Sequence, residues 1–383
     1  MNSKTGAGAL GSMPGGARIH NFGAGPAVLP LSGPAVLPLS VVEECRDALP
    51  NLSQSGFGLL EVSHRSQTFQ NVVDSAMVRV RRILSVPDDY TVLFLQGGAS
   101  LQFYMTALNL LRPGEQADYL VTGGWAQKAL KEAKRVGDAQ AIWDDSENGF
   151  TSVPQVGEYA VRDDAVYLHY TSNNTLYGTQ FHHLPDSGGK LLLLDACSDI
   201  AGAPCDISAH DLIYAGAQKN LGPSGVTLVI LSPRALSRVG DDLPTMLDYN
   251  VHASKGSLFN TPNTFGIFAL DRVFNWLEEN GGLEASIARN QEKSGLLYAE
   301  LDRTDFWRPH ADRDSRSVMN LTWLLHDDAL EPVFLAEAEA AGMGGMRGHS
   351  SVGGIRASLY NCCPLESVQA LIEFMRDFEE SHR

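Results

Sequence analysis

The chain has 383 residues, more than a single compact core usually organises, so its length implies a large domain with a smaller one attached. It is 44% hydrophobic and 19% charged, with no apolar run near the roughly 20 residues of a membrane span, which argues against an integral membrane protein. A formal charge of -16 leaves no basic face to neutralise a run of phosphates, so nucleic acid is not the expected partner, and any anionic ligand must be held by a few placed Arg, Lys or backbone N–H groups.

The first residues, to about Arg18, are rich in Gly, Ala and Ser with no apolar h-region, and read as a disordered leader. Gly25 to Ser32 reads GPAVLPLS, and Gly33 to Ser40 repeats it letter for letter. Two copies cannot build a solenoid, so the second reads as a tandem insertion. Ser40 and Glu43 have the spacing of a capping box, which predicts a helix running from there toward Ala48.

From residue 91 short β-rich runs alternate with helical ones: TVLFLQ then LQFYMTALNLL, DYLVT then WAQKALKEAKRV, and later AVYLHYT, LLLLD, DLIYAG and VTLVIL. This pattern predicts a mostly parallel sheet covered by helices on both faces. After about Thr264 come helical runs through Trp276 and Leu301, a strand-like SVMNLTW, a helix near Val333 to Ala341, IRASLY and a closing helix. The expected division is a leader over 1–18, a large α/β domain over 19–270 and a smaller C-terminal α/β domain over 271–383. The N-terminal segment is free to pack on the smaller one. The five cysteines are odd in number and none has C-x-x-C spacing, so they read as reduced thiols of a cytoplasmic protein, with no metal site expected.

The chemistry centres on Lys219, which lies in the small-residue segment Tyr214-Ala215-Gly216-Ala217-Gln218-Lys219-Asn220 just past a strand. Asp195 ends the apolar strand Leu191 to Leu194, and a carboxylate buried there without a partner costs several kcal/mol. Pyridoxal 5'-phosphate (PLP) answers both residues. Its aldehyde forms a Schiff base with the lysine, and its protonated pyridine nitrogen pairs with the acid. Gln96-Gly97-Gly98-Ala99-Ser100 joins a strand to a helix expected near Leu101, and converging N–H groups at a helix N-terminus favour a phosphate. Trp125 follows Gly123-Gly124 at the carboxyl edge of the sheet, where ligands of open α/β folds bind, and can stack on a flat ring. Singly, each feature has a plain structural reading: a solvated Lys, a carboxylate capping a loop, a topological turn, a packed Trp.

Further segments match one family in order: Asn21 to Ala27 (NFGAGPA), Glu61 to Arg65 (EVSHR), Gly97 to Phe103 (GGASLQF), Phe259 to Pro262 (FNTP), Gly348-His349, and Gly353 to Ser358 (GGIRAS). On these the chain resembles the phosphoserine aminotransferases of PLP-dependent fold type I, from about Asn21 to the C-terminal helix. The resemblance implies that Lys219 carries the cofactor, Asp195 faces the pyridine nitrogen, Trp125 stacks on the ring and Thr175 bonds the ring hydroxyl. It also implies that Ala99, Ser100 and Gln218 cup the cofactor phosphate. The family is a homodimer with shared sites, in which Asn260 and Thr261 match positions that reach the neighbouring subunit's cofactor phosphate. His64, Arg65 and His349 match residues that hold the anionic substrate, and Arg356 matches the residue that grips its α-carboxylate.

The implied reaction transfers the amino group of L-glutamate to 3-phosphohydroxypyruvate, a small phosphorylated 2-oxo acid. The products are O-phospho-L-serine, for serine biosynthesis, and 2-oxoglutarate; 4-phosphohydroxythreonine is a second substrate to consider. The chain departs from the family pattern at Ser350, where an Arg that contacts substrate phosphate is usual, and in the doubled octapeptide. Other readings are another fold type I aminotransferase of the alanine:glyoxylate type, a lyase using Cys362 or Cys363, and a catalytically silent homologue.

Overall fold

The computed structural model describes residues 19–25, 37–349 and 352–383. The leader, most of the doubled octapeptide and Ser350 lie outside the described residues.

The large sheet has seven strands: β1 Thr91–Leu95, β2 Gln116–Val121, β3 Asp138–Asp144, β4 Ala165–Thr171, β5 Leu191–Asp195, β6 Leu212–Gly216 and β7 Thr227–Leu231. Their order across the sheet is β1-β7-β6-β5-β4-β2-β3. All neighbours are parallel except β7, which runs antiparallel to both β1 and β6. Strand β5 is buried at all five positions, because a central strand covered on both faces has no wet side.

Helices α1 Leu39–Ala48, α2 Gln67–Leu84, α3 Gly98–Leu110, α4 Gly124–Ala133, α5 Thr264–Glu279, α6 Gly282–Leu301 and α7 Leu365–His382 supply most of the covering layers. On one face α1, α2 and α5 pack on Leu192, Leu194, Ile213 and Leu228; on the other α3 and α4 pack on Leu193, Leu212, Tyr214 and Val229. Helix α2 shows how the sequence dictates this. Phe69, Val72, Val73, Ala76, Val80 and Leu84 recur at helical spacing to form its buried stripe, and the Ser66 hydroxyl accepts from the Phe69 N–H at 3.2 Å to cap it.

A second, three-stranded antiparallel sheet contains β8 Trp307–Pro309, β9 Asn320–Leu325 and β10 Ile355–Ser358, in that order. Its core gathers Trp307, Trp323, Phe334, Ile355 and Phe378, together with Phe22 from the N-terminal segment. The Phe22 N–H donates to Gly344 O, and Phe22 O accepts from the Ser358 N–H.

Two local expectations need correction. Helix α1 begins at Leu39 with Pro38 as its N-cap and no side-chain cap, so Ser40 falls inside the first turn and the capping box does not form. Proline supplies a backbone φ of -56° suited to a helix entry, which moves the start one residue ahead of the serine. Helix α3 begins at Gly98 rather than near Leu101, which puts Ala99 and Ser100 in its first turn. Gly97 enters that turn at φ +90°, and a Cβ there would come within 2.4 Å of the Leu101 side chain.

Candidate active site

The parallel strands all end at one edge of the large sheet, and the site is built there. β5 delivers Asp195, the turn after β6 delivers Gln218 and Lys219, and the segment after β4 delivers Thr175. The first turn of α3 brings Ala99 and Ser100, and that of α4 brings Trp125. These seven sequence-selected residues line one cavity of about 170 Å³.

Within it, Lys219 is only 8% exposed, and its Nζ donates to Thr175 Oγ1 at 2.6 Å. That nitrogen lies 5.9 Å from the centre of the Trp125 ring. Asp195 is 3% exposed and accepts the Cys197 N–H on Oδ1 at 3.0 Å. Burial raises the Asp195 pKa above the ordinary carboxylate value, while hydrogen bonds from Cys197 and the charge of Lys219 pull the other way.

The donor set fits PLP. A buried acid that has no ion-pair partner within 4 Å among the described residues faces the same cavity as a buried lysine. The indole N–H of Trp125 is buried with no hydrogen-bond partner, and the first turn of α3, which has no side-chain cap, borders the cavity.

Arg356 projects from β10 of the small sheet, and its Nη1 lies 3.4 Å from Thr175 O. Its Nε is buried without a partner and no carboxylate comes within salt-bridge distance of it among the described residues. Burial pulls its pKa below the usual guanidinium value without discharging it at neutral pH. A half-buried guanidinium beside the cavity, with no carboxylate of its own among the described residues, is suited to an incoming carboxylate.

The remaining selected residues do not line the cavity. His64 and Arg65 sit in the loop before α2, with the His64 Nε2 buried and unpartnered and Arg65 exposed. His349 is exposed in the loop before β10. Asn260 lines a separate small cavity, and Thr261 O accepts from Gln96 Nε2 at 3.0 Å. The sequence reading passed over Asn173, Cys197 and Ser198, which do line the Lys219 cavity. Cys197, two residues beyond Asp195, is the only one whose position alone could have drawn attention.

A larger cavity of about 450 Å³ opens on the opposite face of β4 and β5, at Tyr170 and Leu194. These residues alternate with Thr171 and Asp195, so they point away from Lys219. Asp199 lines this second cavity, with its pKa pushed up to about 6 by burial. Cys362 and Cys363 also lie away from the Lys219 cavity, and burial raises their thiols to about 12 and about 11, so neither is poised as a nucleophile.

The model of the family described as Aminotransferase class-V matches residues 28–371. A curated phosphoserine aminotransferase of Geobacillus kaustophilus is 47% identical over 362 residues, which is 94% of this chain and 98% of that protein. Among solved structures, the phosphoserine aminotransferase from Bacillus circulans subsp. alkalophilus superposes with a TM-score of 0.91 at 43% identity, over 96% of this chain and 99% of that one. The PLP-bound phosphoserine aminotransferase from Trichomonas vaginalis superposes with a TM-score of 0.87 at 32% identity, over 94% and 100% of the two chains.

Proposed function

The chain belongs to the class-V aminotransferase family, and we propose that it is the phosphoserine aminotransferase of its source, moving an amino group between L-glutamate and 3-phosphohydroxypyruvate with PLP as cofactor. The observation that carries this reading is the meeting of Lys219, Thr175, Asp195 and Trp125 in one cavity, with the guanidinium of Arg356 beside it on the Thr175 carbonyl.

PLP, when bound, supplies an aldehyde for covalent linkage to an amine and a protonated ring that withdraws electrons. The residues do the rest. Lys219 would hold the cofactor through its amine, and with an amino-acid substrate in its place the same amine would be free to take and return the substrate α-proton. Thr175 Oγ1 fixes where that amine rests. Asp195, buried beside the cavity, would hold the proton of the ring nitrogen, and its burial would strengthen that interaction. Arg356 binds the α-carboxylate with two parallel hydrogen bonds, which orients the α-proton toward Lys219. His64, Arg65 and His349 are assigned to the anionic far end of the substrate.

We also assign the protein to a homodimer with shared sites. Phe57, Leu60, Met246 and Phe259 are exposed apolar side chains, a pattern that an isologous interface would cover. Asn260 and Thr261 do not line their own chain's cavity, which leaves them available to a neighbour's. No described helix is long and apolar enough to cross a membrane, and a cytoplasmic site of action suits the reduced thiols. We also assign a large and a smaller domain, a reading supported by the presence of two separate sheets.

The test compares kcat/KM for phosphoserine, serine and alanine with 2-oxoglutarate, alongside borohydride reduction and peptide mapping. Phosphoserine is expected to lead clearly, with the reduced label on the peptide that contains Lys219. A lead for alanine, or a label elsewhere, would overturn the assignment.

A further inference from the structure

Lys219 follows β6 of the large sheet and Arg356 lies in β10 of the small one, so a substrate gripped by its α-carboxylate at one must present its α-proton to the other. A misplacement of roughly 1 Å between such groups costs about a hundredfold in rate. Thr175 touches both on the cavity side. A second link runs outside the cavity lining, through the residue next to Lys219.

Asn220 is 1% exposed. Its Nδ2 donates to Ser198 O at 3.3 Å, and its Oδ1 accepts the backbone N–H of Asn361 at 3.1 Å. Ser198 lies three residues beyond Asp195, and Asn361 lies five beyond Arg356. One side chain therefore ties the lysine turn both to the segment after the acid and to the segment after the guanidinium.

The far end of this link is anchored in turn. Asn361 Nδ2 donates to Ala201 O at 2.9 Å, and Asn361 Oδ1 accepts from Asn290 Nδ2 of α6 at 2.8 Å. One helical turn along α6, Lys293 is 2% exposed, and its ammonium donates to the carbonyls of Leu359, Tyr360 and Cys363 at 3.0, 2.9 and 3.0 Å. A buried ammonium is costly unless its protons are satisfied, and here three carbonyls of one short segment converge on it, which holds the chain after β10 in a single shape. The packing leaves no slack, since a Cβ on Gly202 would come within 2.6 Å of Asn361 Oδ1.

We propose that Asn220 is a positioning residue which, through its bond to Asn361, holds the Lys219 amine in register with the Arg356 guanidinium, with Asn290 and Lys293 anchoring the far end. None of these four residues lines the Lys219 cavity, so they act on the alignment of the reacting groups and not on the binding of cofactor or substrate. A link that merely joined the two sheets would lower stability without changing proton transfer.

The inference rests on the reading of Lys219 as carrier of the substrate α-proton, and the experiment separates the two. Wild type, Asn220→Ala and Asn361→Ala are compared. On the apoproteins, amide hydrogen exchange is followed in peptides covering 355–363 and 91–95, and the PLP dissociation constant is read from quenching of tryptophan fluorescence. On the loaded proteins, kcat and KM are measured with glutamate and with α-deuterated glutamate.

Asn220→Ala is expected to speed exchange in 355–363 about tenfold and to leave 91–95 at the wild-type rate. Its kcat should fall roughly tenfold or more with a larger deuterium isotope effect, while KM for glutamate and the PLP dissociation constant stay within about twofold of wild type. Asn361→Ala, which frees the same segment from Ala201 and Asn290, should move exchange and isotope effect in the same direction. Unchanged exchange in 355–363, a fall in kcat without a larger isotope effect, or a rise in KM alone overturns the proposal. If Asn220→Ala fails to fold, Asn361→Ala decides by the same two readouts. Wild-type protein whose visible band glutamate does not bleach overturns the functional assignment instead, whereas a bleached wild type matched in every readout by Asn220→Ala overturns only this inference.

Discussion

Lys219 Nζ donates to Thr175 Oγ1 at 2.6 Å, and the carbonyl of the same threonine faces the Arg356 guanidinium at 3.4 Å. One residue therefore touches both the amine assigned to the chemistry and the cation assigned to the substrate. The two contacts use different atoms, so they can be separated. Thr175→Val keeps the shape and the carbonyl but deletes the hydroxyl. A hydrogen bond to a charged group is worth about 1.5–3 kcal/mol, so kcat should fall roughly tenfold or more while KM for glutamate stays near wild type. A rise in KM with kcat untouched would show that the hydroxyl serves substrate binding instead.

Arg356 has no carboxylate partner of its own among the described residues, and its Nε is buried and unpaired. A lysine at that place keeps the charge and loses the planar fork. Arg356→Lys is therefore expected to lower kcat/KM about a hundredfold, and equally for glutamate and phosphoserine, because both present the same α-carboxylate. Steady-state kinetics with the two donors give the answer; a loss confined to phosphoserine would move Arg356 to the phosphate end.

Ser350 stands where the resembled family usually has an arginine that contacts substrate phosphate. Restoring it, Ser350→Arg, should lower KM for phosphoserine about tenfold and leave KM for glutamate unaltered, since glutamate carries no phosphate. An unchanged or higher KM for phosphoserine would mean that the phosphate is held by other groups.

His169 is stacked between Tyr119 and Tyr214, and burial pushes its pKa from 6.5 down to about 3. In the unfolded chain it regains its ordinary value, so between about pH 3 and pH 6.5 the unfolded state binds the extra proton and the fold loses stability as pH falls. The loss approaches ~1.4 kcal/mol per pH unit within that window. Asp199, raised from 3.8 to about 6, acts in the opposite sense between those values, because there the folded state holds the proton. Urea unfolding of His169→Gln from pH 4 to pH 7 should show a shallower acid loss than wild type. Parallel curves for the two proteins would contradict the neutral, buried assignment.

Much of the site was legible because it lies at strand ends. Lys219 and Asp195 follow apolar runs that can only be central strands, and the connection rules of parallel sheets bring such ends to one edge. The helix after Gly97 was readable for the same reason, though its start was placed three residues late, because a first turn made of Gly, Ala and Ser carries no periodic signal. Strand β3 escaped the sequence reading. It lies at an edge of the sheet with only Ala139 fully buried, so its alternation is too weak to separate from a loop.

The sequence by itself determined the class of fold, the lysine and the acid, since these depend on local hydrophobic runs and on motifs that stay contiguous. Only the tertiary structure decided that β7 runs antiparallel between β1 and β6, that Arg356 of the small sheet reaches Thr175 beside the large one, and that Cys197 stands against Asp195. The physical reason is that periodicity reports which side of an element is buried, whereas these contacts depend on what that side is buried against. Such partners are as much as 181 residues apart in the chain and meet only when the two sheets pack.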